Sequence, residues 1–161
     1  MSSAEEIASR TRFVGALMRD GWQWVREQII DGVRAAGYDD LNPAHVGLFR
    51  YPTIEGLRPI EIAERMQITK QSVHDLLGHM EERGYLVREP DPTDRRARVV
   101  RLTAAGSRLE LVVRAAAADA EAQIAEMLGD RRFHQLRDAL RLLVEQLDAK
   151  RPPTDTTATP T

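Results

Sequence analysis

The sequence has no cysteine among its 161 residues. This absence excludes disulfide bonds, a thiolate zinc site and a cysteine-based redox switch. Aromatic residues are scarce, at 5% of the chain, whereas alanine and leucine, which favour helices, are abundant. Because 42% of the residues are hydrophobic, a packed core is still possible. The composition therefore predicts a mainly helical fold.

The chain also lacks a net positive charge, since its formal net charge is −2. Its overall field gives no attraction for polyanions, so a nucleic-acid site would have to come from local clusters of basic residues. No apolar run is long enough to cross a bilayer, and residues 1–6 are acidic, without the basic and apolar regions of a signal peptide. We therefore expect a cytoplasmic protein without a membrane partner.

A long first helix is predicted from about residue 3 to residue 36, because no proline interrupts this stretch. About thirty helical residues would be roughly 45 Å long. This length exceeds what one small lobe can cover, so we expect a partner subunit to pack on the helix. The apolar stripe that recurs along it consists of Ile7, Val14, Met18, Val25 and Ile29.

Between residues 37 and 102 the pattern predicts three short helices followed by a β-hairpin. An asparagine–proline pair, a proline and a threonine mark the three helix starts, and a glycine follows the third helix. Two short helices joined by a tight turn make a helix-turn-helix. The predicted helices run from Pro43 to Phe49, Ile60 to Met66 and Lys70 to Arg83, and the strands from Leu86 to Glu89 and Arg98 to Leu102.

Two further helices are predicted after the hairpin. Thr103 caps an alanine-rich helix that runs from Ala104 to about Leu128, and Gly129 breaks it. The proline- and threonine-rich residues 151–161 indicate a disordered tail. The last helix carries a near-heptad apolar seam of Phe133, Leu136, Leu140, Leu143, Val144 and Leu147.

Several short motifs follow one another in residues 60–102. Each is weak alone, but in this order they resemble the winged-helix core of the MarR family of bacterial transcriptional regulators. The first and the last two helices resemble the intertwined dimerisation region of that family. The motifs are Glu61-Ile62-Ala63-Glu64-Arg65-Met66, Thr69-Lys70-Gln71-Ser72-Val73, Glu81-Glu82-Arg83-Gly84-Tyr85, Asp91-Pro92-Thr93-Asp94-Arg95-Arg96 and Leu102-Thr103-Ala104-Ala105-Gly106.

The resemblance implies a mainly α fold with a small β-hairpin, organised as a winged helix-turn-helix with a long helical dimerisation region. It implies a homodimer that binds a roughly palindromic operator in double-stranded DNA, acts as a repressor and is released by a small aromatic effector. The expected regions are an N-terminal dimerisation helix (1–36), a DNA-binding lobe (37–102), C-terminal dimerisation helices (103–150) and the disordered tail (151–161).

The third short helix is the expected recognition helix, because Val73, Leu76, Leu77 and Met80 turn inward and leave a polar face outward. Glutamine can read adenine, lysine can read guanine or hold phosphate, and the helix N-terminus can bind phosphate. The carboxylate of Asp75 would repel phosphate unless it accepts from cytosine N4 or pairs with Lys70 or Arg65. The predicted contacts are Thr69, Lys70, Gln71, Ser72, His74 and Asp75.

The hairpin loop is predicted to contact the minor groove. Arg95, Arg96 and Arg98 follow one another without an intervening acid, and a narrow minor groove has a negative potential that attracts arginine. The resemblance implies that Asp94 braces an arginine of this wing while Arg95 or Arg96 enters the groove.

An effector crevice is expected between the dimerisation helices and the DNA-binding lobe. Its predicted lining is Trp22, Trp24, His45, Phe49 and Tyr51. The four histidines lack metal-ligand spacing, so neither a metal nor another cofactor is expected, and His45 and His79 are interpreted as ordinary surface or partly buried side chains.

Two other classes of function compete with this interpretation. An enzyme is disfavoured because the sequence has no glycine-rich phosphate loop, nucleophile elbow or metal pair. A helical scaffold that binds proteins but not specific DNA remains the alternative, and it would dimerise without salt-sensitive DNA affinity.

Overall fold

The computed structural model describes residues 13–49 and 53–150. These residues form six helices and a two-stranded antiparallel sheet, which confirms the predicted fold class. The chain divides into two compact units, residues 1–120 and 121–161. In chain order the elements are α1 (Val14–Ala35), α2 (Pro43–Leu48), α3 (Pro59–Met66), α4 (Lys70–Glu82), β1 (Leu86–Pro90), β2 (Arg98–Leu102), α5 (Ala104–Leu128) and α6 (Asp130–Lys150).

The short helices begin at the predicted residues because side chains there satisfy free backbone N–H groups. Asn42 Oδ1 accepts hydrogen bonds from the first turn of α2 at 2.9 and 3.0 Å. Thr69 Oγ1 accepts from the Ser72 N–H at 3.1 Å at the start of α4. Gln67 ends α3 in a left-handed conformation, with φ 55°. This left-handed residue makes the tight turn that joins the two helices of the helix-turn-helix.

The hairpin that follows α4 has a simple antiparallel register. Leu86 lies opposite Leu102, and Pro90 lies opposite Arg98. The loop between the strands therefore begins at residue 91 and projects away from the paired base, as a wing.

The base of the hairpin is joined to the start of α5. Thr103 Oγ1 donates to the Gly84 carbonyl at 2.5 Å, and the Thr103 N–H donates to the Tyr85 carbonyl at 3.1 Å. A Cβ at position 106 would overlap that same Tyr85 carbonyl oxygen, so only glycine fits there. The Leu-Thr-x-x-Gly motif is therefore the sequence that holds α5 against the hairpin.

A single apolar core holds the first unit together. The inward face of α4 is buried as predicted at Val73, Leu77 and Met80, whereas Leu76 is only partly buried. Residues from α1, α2, α3, both strands and α5 complete this core. Its other members include Ile29, Val33, Leu41, Val46, Leu48, Phe49, Ile54, Ile62, Ala63, Leu86, Val100, Leu109 and Val113.

The start of α1 and the whole of α6 carry apolar residues that the single chain leaves exposed. The last turns of α1 are buried, but its beginning is not, and Phe13 before it is 82% exposed. None of the residues of α6 is buried. The seam predicted for a partner is thus exposed in this helix at Leu136, Leu140, Leu143, Val144 and Leu147.

Some predictions concern residues that the structure does not describe. The predicted start of the first helix near residue 3 and the predicted tail at residues 151–161 both lie outside residues 13–49 and 53–150. Among the helices in those described ranges, none combines the length and apolarity that crossing a membrane requires.

Candidate nucleic-acid interface

The predicted contact residues of α4 lie on its exposed face. Thr69 and Ser72 are held by the helix start itself, since their hydroxyl groups are 2.8 Å apart. Lys70 is exposed and lies on the first turn of α4, beside the free N–H groups of the helix. This end of the helix combines a mobile cation with backbone donors, which is a suitable arrangement for a phosphate.

Asp75 has a partner that sequence reasoning did not foresee. The side-chain amide of Gln71 donates to Asp75 Oδ1 at 2.8 Å, one helical turn away. The expected partners were Lys70, Arg65 or a cytosine. The Gln71 bond takes up part of the acceptor capacity of this carboxylate and orients the glutamine at the same time.

His74 is connected to the hairpin through Arg88. Arg88 Nη1 lies 3.3 Å from His74 Nδ1, and the same guanidinium donates to Glu81 Oε2 from Nε at 3.0 Å and from Nη2 at 2.5 Å. The hydrogen bonds from Arg88 hold the pKa of Glu81 below its ordinary value. Glu81 is therefore charged at neutral pH and fixes the arginine against α4.

The root of the wing is organised by Asp91, which is only 6% exposed. Its Oδ1 accepts from the Thr93 hydroxyl and the Thr93 N–H, both at 2.7 Å, and its Oδ2 accepts from Arg58 Nε and Nη2, both at 2.6 Å. The Thr93 bonds, together with the Arg58 guanidinium, lower the pKa of Asp91 to about 2. The wing is thereby attached to the residue that precedes α3.

Asp94 has a different role from the one implied by the resemblance. It accepts the backbone N–H of Arg96 at 3.0 Å, so it shapes the loop and does not brace an arginine side chain. The carboxylate that binds an arginine is Asp91, which sequence reasoning missed. The Asp-Pro-Thr order could have indicated the local Asp91–Thr93 turn, but Arg58 lies 33 residues away and no local pattern points to it.

The arginines of the wing are exposed and uncommitted. Within residues 13–49 and 53–150, the side chains of Arg95, Arg96 and Arg98 make no hydrogen bond or ion pair. Arg101, on β2, differs because it pairs with Glu55 at 3.1 Å. The loop therefore presents cations that have no hydrogen-bond or ion-pair partner among the described residues.

An open groove of about 520 Å³ lies between α4 and the wing. The structure brings four of the predicted contact residues to it, while Arg95 and Arg96 lie further out in the loop. The groove is lined by Arg58, Pro59, Ile60, Lys70, Gln71, His74, Ala97 and Arg98.

A separate cavity of about 320 Å³ lies between α1, α2 and the turn after α3. Trp22 is the one predicted effector residue that lines it, and Arg26 is a lining residue that the prediction missed. The other lining residues are Ile29, Ile30, Pro43, Ala44, Val46, Gly47, Met66 and Ile68.

Of the other predicted effector residues, the three that the structure describes do not line this cavity. Phe49 is 1% exposed and belongs to the core. Trp24 is partly buried on α1, and Tyr51 lies outside the described residues. The predicted lining is therefore corrected at Phe49, because a side chain packed on all sides has no surface left for a ligand.

His45 is also not an ordinary histidine. It is 6% exposed and stacks on His79 of α4, with ring centroids 4.2 Å apart and an angle of 15° between the planes. Its Nδ1 accepts the Asn42 N–H at 3.2 Å. Burial, and then the neighbouring His79, lower the pKa of His45. No group of three potential metal ligands occurs among the described residues.

Comparisons with known proteins agree with this geometry. Residues 39–97 match the family model described as the MarR family. The transcriptional activatory protein BadR of Rhodopseudomonas palustris is 30% identical over 117 residues, which cover 72% of this chain and 66% of BadR. The chain thus spans just under two thirds of the length of this curated relative.

Two solved structures of one protein are also similar. CouR of Rhodococcus jostii RHA1 bound to p-coumaroyl-CoA is 25% identical, with a TM-score of 0.64, over 81% of this chain and 90% of CouR. The transcriptional repressor CouR bound to a 23-mer DNA duplex is 25% identical, with a TM-score of 0.63, over 84% and 92%. One fold thus carries both a duplex and a thioester ligand in that protein.

Proposed function

The chain belongs to the MarR family of transcriptional regulators, and from this premise we propose that it binds duplex DNA sequence-specifically as a homodimer and represses transcription. Members of this family are regulators and not enzymes, so the enzymatic alternative is dropped. The proposed DNA partner lies in the cytoplasm, where we expect the protein to act.

One observation carries the proposal. Lys70, Gln71 and His74 on one helix line the same open groove as Arg98 of the wing. A helix of this width fits the major groove, and the adjacent loop then reaches the backbone or the minor groove. The two sets of side chains supply base-reading and phosphate-binding groups side by side.

Local charge explains how a chain of net charge −2 could bind a polyanion. Arg95 and Arg96 have no partner among the described residues, so binding DNA would not require breaking ion pairs. Phosphate neutralisation by such residues releases counterions and makes affinity depend steeply on salt. A scaffold that binds only proteins would lack this dependence.

The test is selection from a random duplex pool with the purified full chain, followed by anisotropy titrations of the selected duplex and of an unrelated one over a range of salt concentrations. We expect one enriched sequence with two-fold symmetry and at least about a thousandfold preference for it over the unrelated duplex. Dimerisation without any enriched duplex would favour the scaffold alternative.

A promoter fusion distinguishes repression from activation. We propose repression, the role named for CouR, although BadR is named an activator. The reporter should be silenced when the protein is present and should recover when the selected sequence is altered. A reporter that rises with the protein would reverse the proposed sign and leave DNA binding intact.

We propose homodimerisation from the exposed apolar seam of α6. Exposing a continuous row of leucine side chains to water is unfavourable, so a partner surface is expected to bury it. A partner copy would cover them. The double variant Leu140→Glu/Leu147→Glu should sediment as a monomer at concentrations at which the parent is a dimer. The variant Val87→Glu, at an exposed apolar residue of β1 outside the expected dimerisation helices, is the control.

We also propose that a small aromatic effector binds in the cavity beside α1 and thereby causes the protein to release DNA. Trp22 provides a surface for stacking and Arg26 a cation for an acidic group, while the remaining lining is largely apolar. An aromatic carboxylate, or its thioester as in the ligand of CouR, has these features.

Tryptophan fluorescence can test the cavity directly. In the variant Trp24→Phe the remaining tryptophan is Trp22, so a change in emission reports on the proposed site. We expect an aromatic carboxylate or thioester to change this emission and to dissociate the DNA at the same concentrations, and Arg26→Leu to weaken both effects. DNA release without any change of Trp22 emission would place the effector elsewhere.

A further inference from the structure

Arg88 connects the recognition helix to the hairpin in a way that constrains His74 chemically. Its guanidinium is anchored on Glu81 by two side-chain hydrogen bonds, and the Arg88 backbone N–H also donates to Glu81 Oε1, at 3.2 Å. The remaining Nη1 faces His74 Nδ1 at 3.3 Å. Arg88 is thus held from one side and directed at the histidine on the other.

The direction of this last hydrogen bond follows from the donors available. A guanidinium has only N–H donors, whereas a neutral imidazole has one donor and one acceptor nitrogen. His74 Nδ1 must therefore accept, and the proton of the neutral ring lies on Nε2. In the other tautomer the N–H on His74 Nδ1 would face an N–H of the arginine, and the hydrogen bond between them would be lost.

The nitrogen left for a ligand is then a donor. His74 lines the groove with Lys70 and Gln71, and its Nδ1 is occupied by Arg88. In the major groove, guanine N7 and O6, adenine N7 and thymine O4 accept hydrogen bonds, whereas cytosine offers only the N4 donor. A histidine with Nε2–H can bond to the first group and cannot bond to cytosine N4.

We propose that Arg88 is a specificity-determining positioning residue, which fixes His74 as a hydrogen-bond donor and so selects against cytosine at the base that His74 contacts. The proposal rests on the proposed DNA binding. Gln71 offers an internal reference, since it is oriented by Asp75 and not by Arg88.

The tautomer can be measured without DNA. Side-chain ¹⁵N NMR of the full chain at pH 8 distinguishes the two neutral forms, and the variant His74→Ala identifies the signal. We expect the Nε2–H form in the parent and a mixture of both forms in Arg88→Met. Arg114→Met is the matched control, because Arg114 also pairs with a glutamate, Glu110, and its loss removes the same charge. An Nδ1–H form in the parent would overturn the proposal.

The consequence for recognition is measured on the selected duplex, with single base-pair changes. In Arg88→Met the discrimination against cytosine at the His74 position should fall about fivefold to tenfold, while the preference at the Gln71 position is retained. In Arg114→Met both preferences should be retained. An unchanged preference at the His74 position in Arg88→Met would refute the role in specificity.

If Arg88→Met does not fold, base analogues in the DNA test the donor role of His74 instead. Where the selected base is a purine, its 7-deaza analogue removes the N7 acceptor, and where it is thymine, 2′-deoxy-5-methylzebularine removes O4. Either should weaken the parent about fivefold and His74→Ala hardly at all. Equal losses in both proteins would contradict the donor role. If the parent retains no duplex, the proposed function fails and the specificity role fails with it, whereas an Nδ1–H form in a parent that does bind DNA defeats this inference alone.

Discussion

The recognition helix and the wing form two sides of one groove, but their side chains are prepared differently. On α4, Gln71 is bonded to Asp75 and His74 to Arg88 before any ligand arrives. In the wing, the backbone is fixed through Asp91, while Arg95 and Arg96 carry no side-chain contact among residues 13–49 and 53–150. The helix therefore presents oriented hydrogen-bonding groups, and the wing presents free charge on a firm support.

This difference assigns separate tasks to the two sides. Oriented groups lose little conformational entropy on binding and discriminate between base edges. Free arginines adjust to phosphates or to a narrow groove whatever the sequence. We expect changes in the wing to affect all duplexes alike, and changes on the helix to affect the ranking of duplexes.

The largest effect is expected from removing the free charges. Arg95→Ala/Arg96→Ala should weaken specific and unrelated duplexes equally, by about tenfold to a hundredfold, and should reduce the salt slope by up to about four for a dimer with two wings. Titrations at several salt concentrations measure both. The control is Arg34→Ala/Arg114→Ala, which removes two exposed arginines on α1 and α5. A loss confined to the selected duplex would mean that the wing reads sequence.

The support of the wing should matter next. Arg58→Met leaves Asp91 without its ion pair, so the loop should loosen and affinity for every duplex should fall by about tenfold. Arg101→Met is the matched control and should have the smaller effect. Arg101 lies on the same hairpin and is paired with Glu55. Hydrogen exchange at residues 91–97 would rise in the first variant. Unchanged exchange there would show that the arginine does not hold the loop.

A smaller effect is expected on the helix. Asp75→Asn replaces a pure acceptor by a group that can also donate. The Gln71 side-chain amide can then flip by 180° and present either its nitrogen or its oxygen to residue 75. Overall affinity should change little, while discrimination at the base read by Gln71 should fall about threefold. Competition between duplexes that differ at this one base pair measures the change. A uniform loss over all duplexes would instead indicate an electrostatic role for Asp75.

The smallest effect is expected from pH. The stability contributions of His45, which stacks on α4, and of Asp91, which holds the wing, are lost in different pH ranges. The native pKa of His45 is below its ordinary value of 6.5, so the unfolded chain binds the proton more tightly and stability falls as pH drops below about 6.5. The pKa of Asp91 is lowered from 3.8 to about 2, so its contribution is present above pH 4 and is lost between pH 4 and 2.

Chemical denaturation of the full chain at pH 8, 6 and 5 checks the first of these ranges. The midpoint should decrease between pH 8 and 5 in the parent and less so in His45→Gln, with His134→Gln, at an exposed position of α6, as the control. An equal decrease in all three proteins would rule out the histidine stack as the cause. A midpoint that rises on acidification would contradict the direction of the His45 shift.

Local signals predicted most of the fold. The caps at Asn42 and Thr69, the glycine after α4 and the helical spacing of Val73, Leu77 and Met80 are each encoded within a few neighbouring residues. The outward face of α4 follows from the same spacing, so its exposed residues were predicted together with the helix. That they contact DNA stays a prediction.

Contacts between distant residues were not predicted. The Arg58–Asp91 ion pair and the His45–His79 stack each join residues more than thirty positions apart, and no periodicity connects them. Glu81 entered the prediction only as part of a motif that resembles the family, and no role was predicted for Arg88. The assignment of Phe49 to an effector crevice failed for the same reason, because an aromatic residue gives no sign of whether it faces a cavity or the core.

The joint between the hairpin and α5 has a mechanical consequence. Thr103 and Gly106 attach the start of α5 to the backbone of Gly84 and Tyr85, directly after the recognition helix, so we expect the start of α5 and the end of that helix to move together. At about 1.5 Å per residue, the part of α5 up to Ala120 is a lever arm of roughly 25 Å, so a tilt of about 5° displaces its far end by about 2 Å. A displacement of about 2 Å at the far end of α5 would therefore rotate the recognition helix by only a few degrees.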